Sequence, residues 1–175
     1  MLRQLANAVL FQLGWFACAL GGNSYWLLSV AAIVLIHLRW LGSWAKDGKL
    51  LIAVTVFGTL LDSLLSMLGV FAFPSGSALI PLWLMLMWSL LAITLNHCLA
   101  WSAKPWWRAS LLGAIAAPLS YCAGAQLAGV QLPLGRWQSL ILLGLIWAVV
   151  FPALHWLASY LRNNASQRSL DRHHH

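Results

Sequence analysis

A chain of 175 residues that is 62% apolar and only 7% charged lacks the polar surface of a water-soluble domain, in which roughly 25% of residues carry a charge. A mean hydropathy of +0.81, 12 tryptophans and only three acids, Asp47, Asp62 and Asp171, describe an all-α polytopic membrane protein with no separate soluble catalytic domain. The net charge of +7 is no nucleic-acid footprint, because Lys and Arg lie between and beyond the apolar stretches.

A spanning helix needs about 20 apolar residues, and six stretches qualify: 5–22, 24–41, 50–73, 79–101, 109–130 and 137–161. The first two are joined by the short Gly21-Gly22-Asn23-Ser24 turn and form a tight hairpin. Asn7 and Gln12 interrupt the first stretch, and no small-residue cleavage site follows, so it does not read as a signal peptide. Arg3, Arg39, Lys46, Lys49, Lys104, Arg108, Arg162, Arg168 and Arg172 fall on one side of these spans and Arg136 alone on the other. Positive loops stay inside; both termini are therefore expected in the cytoplasm, with six crossings between them. Trp40, Trp44, Trp101, Trp106 and Trp107 then sit at the inner interface and Trp26, Trp83 and Trp137 at the outer one. Trp15, Trp88 and Trp147 are mid-helix and read as packing. Residues 162–175 form a basic tail whose last three histidines, His173, His174 and His175, look like the start of a tag and are set aside. Cys18, Cys98 and Cys122 lie in apolar runs without metal or redox spacing and read as buried thiols.

Between lipid-embedded helices, close approach relies on small residues four apart. Gly14, Cys18 and Gly22 mark one face of the first span, and Ser120, Gly124 and Ala128 one face of the fifth, which places the fifth centrally. Pro118 and Pro152 free the carbonyls of residues 114 and 148 for a neighbour.

An ionisable group in hydrocarbon costs roughly 2.5–3.5 kcal/mol at mid-helix and marks a candidate site. Asp62 is one, at the centre of the third span, on a polar stripe with Thr55, Thr59 and Ser66 and beside Ser63. With a rise of about 1.5 Å per residue, His37, Asn7, Asn96, His97 and His155 come out roughly 6–10 Å to the cytoplasmic side of the midplane, with Gln12 near it. The expectation is a polar pocket open to the cytoplasm with Asp62 at its floor. Asp62, His97 and Asn96 are the candidate catalytic residues; Gln12, Ser63, Ser66, Tyr121, His37, His155 and Asn7 are the candidates for substrate contact. Each has a structural competitor: interhelical hydrogen bonding for Asp62, Asn96, His97, Asn7 and Gln12, interfacial snorkelling for His37, and capping of the carbonyls freed by Pro152 for His155.

Lys46, Lys49 and Lys104 are interfacial, which excludes a buried Schiff base. No metal site is expected, since a single intramembrane acid cannot supply an acidic cluster, and the histidine spacing specifies neither zinc nor haem. The cofactor stays open.

The runs Phe11-Gln12-Leu13-Gly14-Trp15-Phe16, Leu61-Asp62-Ser63-Leu64-Leu65, Pro81-Leu82-Trp83 leading to Thr94-Leu95-Asn96-His97, and Ala117-Pro118-Leu119-Ser120-Tyr121 resemble a bacterial inner-membrane family catalogued as a domain of unknown function. The likeness spans nearly the whole chain; Ala117 stands where that family more often has Gly. The resemblance assigns no activity. It implies a lipid connection, because such proteins tend to be encoded near fatty-acid-modifying enzymes.

Three functional readings follow. In the first, the inner-leaflet pocket acts on or with an acyl lipid or amphiphile, with His97 as acid or base oriented by Asp62 and Asn96 polarising a carbonyl. In the second, the chain is a small permease or transporter subunit in which Asp62 couples to a proton or grips a cation. In the third, it is a non-catalytic scaffold that docks membrane enzymes through its first and fifth helices. Whether the protein is an enzyme, and its oligomeric state, are left open.

Overall fold

In the computed structural model, which describes residues 1–73 and 79–171, six helices follow one another: α1 (Leu2–Gly21), α2 (Leu27–Ile36), α3 (Trp44–Met67), α4 (Leu82–Leu95), α5 (Trp106–Ala128) and α6 (Arg136–Asp171). The segment 74–78 and residues 172–175, Arg172 and the terminal histidines, lie outside the described residues. Local chemistry sets the boundaries. Ser43 caps α3 by accepting the Lys46 N–H, Pro81 and Pro105 open α4 and α5, and Gly129 closes α5 in the left-handed conformation at φ 67°.

Three elements depart from the sequence expectation. Helix α2 continues as a π-helical turn over His37–Leu41. Helix α4 stops at Leu95, and the chain passes through a turn at 96–99 into a short 3₁₀ segment, Ala100–Ala103. Such interruptions free backbone groups, tolerated at membrane depth only where protein satisfies them. Helix α3 also begins at Trp44 rather than at residue 50, because the Ser43 cap, not hydropathy, decides its first turn.

The helices alternate in direction. Side-chain bonds gather the start of α1, the end of α2, the start of α3, the end of α4 and the end of α6 at one end. At the other end, Trp83 N–H donates to Asn23 Oδ1, and Ala72 and Gln131 form a two-bond antiparallel bridge between the connections that follow α3 and α5.

The fifth helix is not central, contrary to the small-residue expectation. Helix α4 occupies the middle: it is buried on several faces and packs against α1, α2, α3 and α6. Helix α5 instead pairs along its length with α6. The glycines that let these two backbones approach are Gly113, where a Cβ would meet the Trp147 carbonyl, and Gly144, where a Cβ would lie 3.1 Å from the Ala114 carbonyl. The latter is the carbonyl freed by Pro118, so α6 covers it. Gly124 has only Trp15 within reach of a Cβ, at 3.8 Å. The small-residue face of α1 turns inward, with Gly14 against Leu90 and Cys18 fully buried.

Candidate functional site

The buried face of α3 runs Asp47, Leu50, Val54, Gly58, Asp62 and Leu65. Two acids therefore share one face, about 22 Å apart along the axis at 1.5 Å per residue. They organise two separate polar regions where one pocket was expected.

Asp62 is wholly buried and accepts from the Trp88 indole N–H at 2.7 Å and from the Tyr121 hydroxyl at 2.8 Å. It meets none of the histidines, so it does not orient His97. Its two partners come from α4 and α5. Trp88 lies against Gly58, where any Cβ would fall inside the indole, and it stacks on Trp147 with centroids 5.2 Å apart. The rest of the expected stripe is internal. Thr55 and Ser89 share a hydrogen bond at 2.9 Å, Thr59 donates to the Thr55 carbonyl, Ser66 to the Phe71 carbonyl, and Ser63 accepts the Ile80 N–H. Ser63 and Ser66 thus hold the connection after α3.

Trp88 and Tyr121 form part of the wall of a cavity of about 590 Å³ bounded by α1, α4, α5 and α6. Its lining is aromatic and aliphatic, with Gln12 and Ser120 as polar exceptions. Gln12, Ala116, Ser120 and Ala123 line it while also being exposed, so its mouth lies between α1 and α5 on the flank of the bundle. Trp15 crosses that mouth by donating from Nε1 to Ser120 Oγ at 2.9 Å. The mid-helix tryptophans read as packing therefore shape the cavity. Each carries an N–H that needs an acceptor when buried, and that was the signal available in the sequence.

The second region brings Asn7, His37, Asn96 and His97 together around Asp47, a residue absent from the sequence-based candidates. Asp47 is 3% exposed. Its Oδ1 accepts from Asn96 Nδ2 at 3.1 Å; its Oδ2 accepts from the Ser43 N–H at 3.2 Å and lies 3.3 Å from His97 Nε2. Arg162 on α6 donates to Asn96 Oδ1 at 2.9 Å. Asn7 staples α1 to the break after α4, accepting the Cys98 N–H and donating both to the Ile93 carbonyl and to His37 Nδ1. The irregular backbone explains the cluster: the π turn carries His37, and the end of α4 carries Asn96 and His97. Extending the buried register of α3 back from Leu50 points to Asp47, but it lies beside Lys46 and Lys49, before the apolar stretch that begins at residue 50.

His155 is separate, sharing a hydrogen bond with Ser102 Oγ at 2.9 Å, so it ties α6 to the 3₁₀ segment. Of the sequence-based candidates, Gln12 and Tyr121 thus belong to the cavity, Asn7, His37, Asn96 and His97 to the Asp47 cluster, and Asp62 to the wall behind the cavity.

An all-helical bundle in which Leu2–Gly21, Trp44–Met67, Trp106–Ala128 and Arg136–Asn164 are each long and apolar enough to cross a membrane, with polar side chains turned inward, defines the class: a helical protein suited to a membrane. Residues 4–153 match the family described as a protein of unknown function, DUF2878, and the chain belongs to that family. Comparison with curated proteins and with solved structures gives no match.

Proposed function

We propose that the protein crosses a bacterial inner membrane six times, its basic end in the cytoplasm, and that its lateral cavity receives the acyl chain of a lipid or similar amphiphile. The observation that carries this reading is the apolar cavity of about 590 Å³ with its mouth on the flank between α1 and α5. That volume lies within the roughly 300–1,000 Å³ of small-molecule sites, and a mouth at mid-helix level faces lipid tails rather than water. The Gln12 amide and the Ser120 hydroxyl give an ester or carboxyl group something to bond. The alternation of helix directions and the nine-to-one distribution of Lys and Arg support the orientation.

A photoactivatable fatty acid carrying a mid-chain diazirine tests the reading in membranes containing the full chain. Crosslinks are expected on cavity-facing residues of α4 and α5, including Met87 and Leu112, and Ala116→Trp, which fills the mouth, should remove them. Crosslinks confined to outward-facing residues such as Leu111 and Ile115, unaffected by Ala116→Trp, would refute it.

A further inference from the structure

We infer that His37, Asp47 and His97 bind one divalent transition-metal ion of the Zn²⁺ type. The three donor atoms lie within 4.8 Å of one another. Asp47 Oδ2 is 3.3 Å from His97 Nε2 and 3.8 Å from His37 Nε2. Zinc bonds of about 2.0–2.1 Å in tetrahedral geometry put neighbouring donors about 3.3–3.4 Å apart; the Asp47–His97 pair already has that spacing, the Asp47–His37 pair at 3.8 Å must close by about half an ångström, and the two imidazole nitrogens, within 4.8 Å of each other, draw together as the ion binds.

Three further observations point to an ion. His37 is wholly buried, and its Nε2 reaches no acceptor within hydrogen-bond distance, the Asp47 carboxylate standing off at 3.8 Å; a buried nitrogen held just short of a carboxylate and beside a second imidazole is what a bridging cation would satisfy. Gly42 borders the same space: a Cβ there would strike the Asp47 carboxylate and lie 2.8 Å from His37 Nε2. Its φ of −112° is open to any residue, so the absent side chain leaves room, not backbone freedom. His97 is one-fifth exposed, which gives an ion and a fourth, non-protein ligand a route in. Two imidazoles and one carboxylate suit Zn²⁺, Co²⁺ or Fe²⁺ and not the oxygen-seeking Mg²⁺.

Asn7 sets the affinity. Its amide is oriented by the Cys98 N–H and the Ile93 carbonyl, so its NH₂ faces His37 Nδ1 and favours the tautomer with the proton on Nε2. Ligation through Nε2 needs the proton on Nδ1 instead and an acceptor beside it. Asn7 provides one by turning its amide over, at the expense of both backbone contacts. Asn7→Asp supplies a carboxylate acceptor directly, the arrangement that strengthens metal-bound histidines.

None of the three ligands lines the lateral cavity, so this site and the acyl-chain reading stand or fall independently. The test uses the full chain with His173→Ser, His174→Ser and His175→Ser, so that the terminal histidines do not compete. Zinc content after equilibrium dialysis and visible absorption on Co²⁺ titration are the readouts. One ion per chain is expected, not displaced by Mg²⁺ and lost in His37→Ala, Asp47→Asn and Gly42→Ala, the last with every ligand retained. Asn7→Asp is expected to tighten Zn²⁺ binding by about 10–100-fold, a gain that misfolding cannot imitate. A parent protein holding no more zinc than His37→Ala, or an Asn7→Asp variant that binds no tighter, would overturn the inference.

Discussion

Gly58→Ala places one methyl group where the Trp88 indole now lies. The ring is held on its far side by Trp147 and at its edge by the 2.7 Å bond to Asp62, so it cannot withdraw without giving up one or both. Overpacking a filled site costs about 1–3 kcal/mol, and depriving a buried acceptor of its donor costs about 1–3 kcal/mol more. The better helix propensity of Ala returns only about 0.5–1 kcal/mol. The net expectation is destabilisation by about 3 kcal/mol, within a span of about 1–5. Reversible unfolding in mixed micelles with rising SDS, followed by near-UV circular dichroism, measures it. The control is Trp88→Ala, which removes the obstacle: in that background Gly58→Ala should be neutral or mildly stabilising, so the two changes are strongly non-additive. A Gly58→Ala variant as stable as the parent, or the same cost in both backgrounds, would show that α3 and α4 do not meet as described.

Asn7→Ala leaves the Ile93 carbonyl, the Cys98 N–H and His37 Nδ1 without their shared partner and should cost at least about 3 kcal/mol; in the same unfolding assay, a loss below about 1 kcal/mol would count against the staple. Gly113→Ala pushes a methyl into the Trp147 backbone carbonyl, whereas Gly124→Ala meets only the Trp15 ring, at an ordinary contact distance of 3.8 Å. The first is expected to lower the unfolding midpoint markedly and the second to leave it unchanged, and the reverse order would restore the Ser120, Gly124 and Ala128 face as the packing seam of α5.

Much of this architecture is legible in the sequence because hydropathy, charge and helical rise are local quantities. They alone determine an all-helical chain and mark six apolar stretches, four of which form helices long and apolar enough to cross a membrane, with turns near residues 22 and 131 and with Asn7, His37, Asn96, His97 and His155 placed toward one end. They also single out Asp62 as a buried acid. Which groups meet is a different kind of information, because it depends on how far each helix is rotated about its axis and which helices are neighbours. Tertiary structure turned Asp62 toward Trp88 and Tyr121, about 22 Å along α3 from Asp47, made α4 rather than α5 the central helix, and let a serine cap carry α3 back far enough to bury Asp47 between His37 and His97. A single cap and two helix interruptions decided the composition of the polar cluster, and an average over apolar windows smooths such features away.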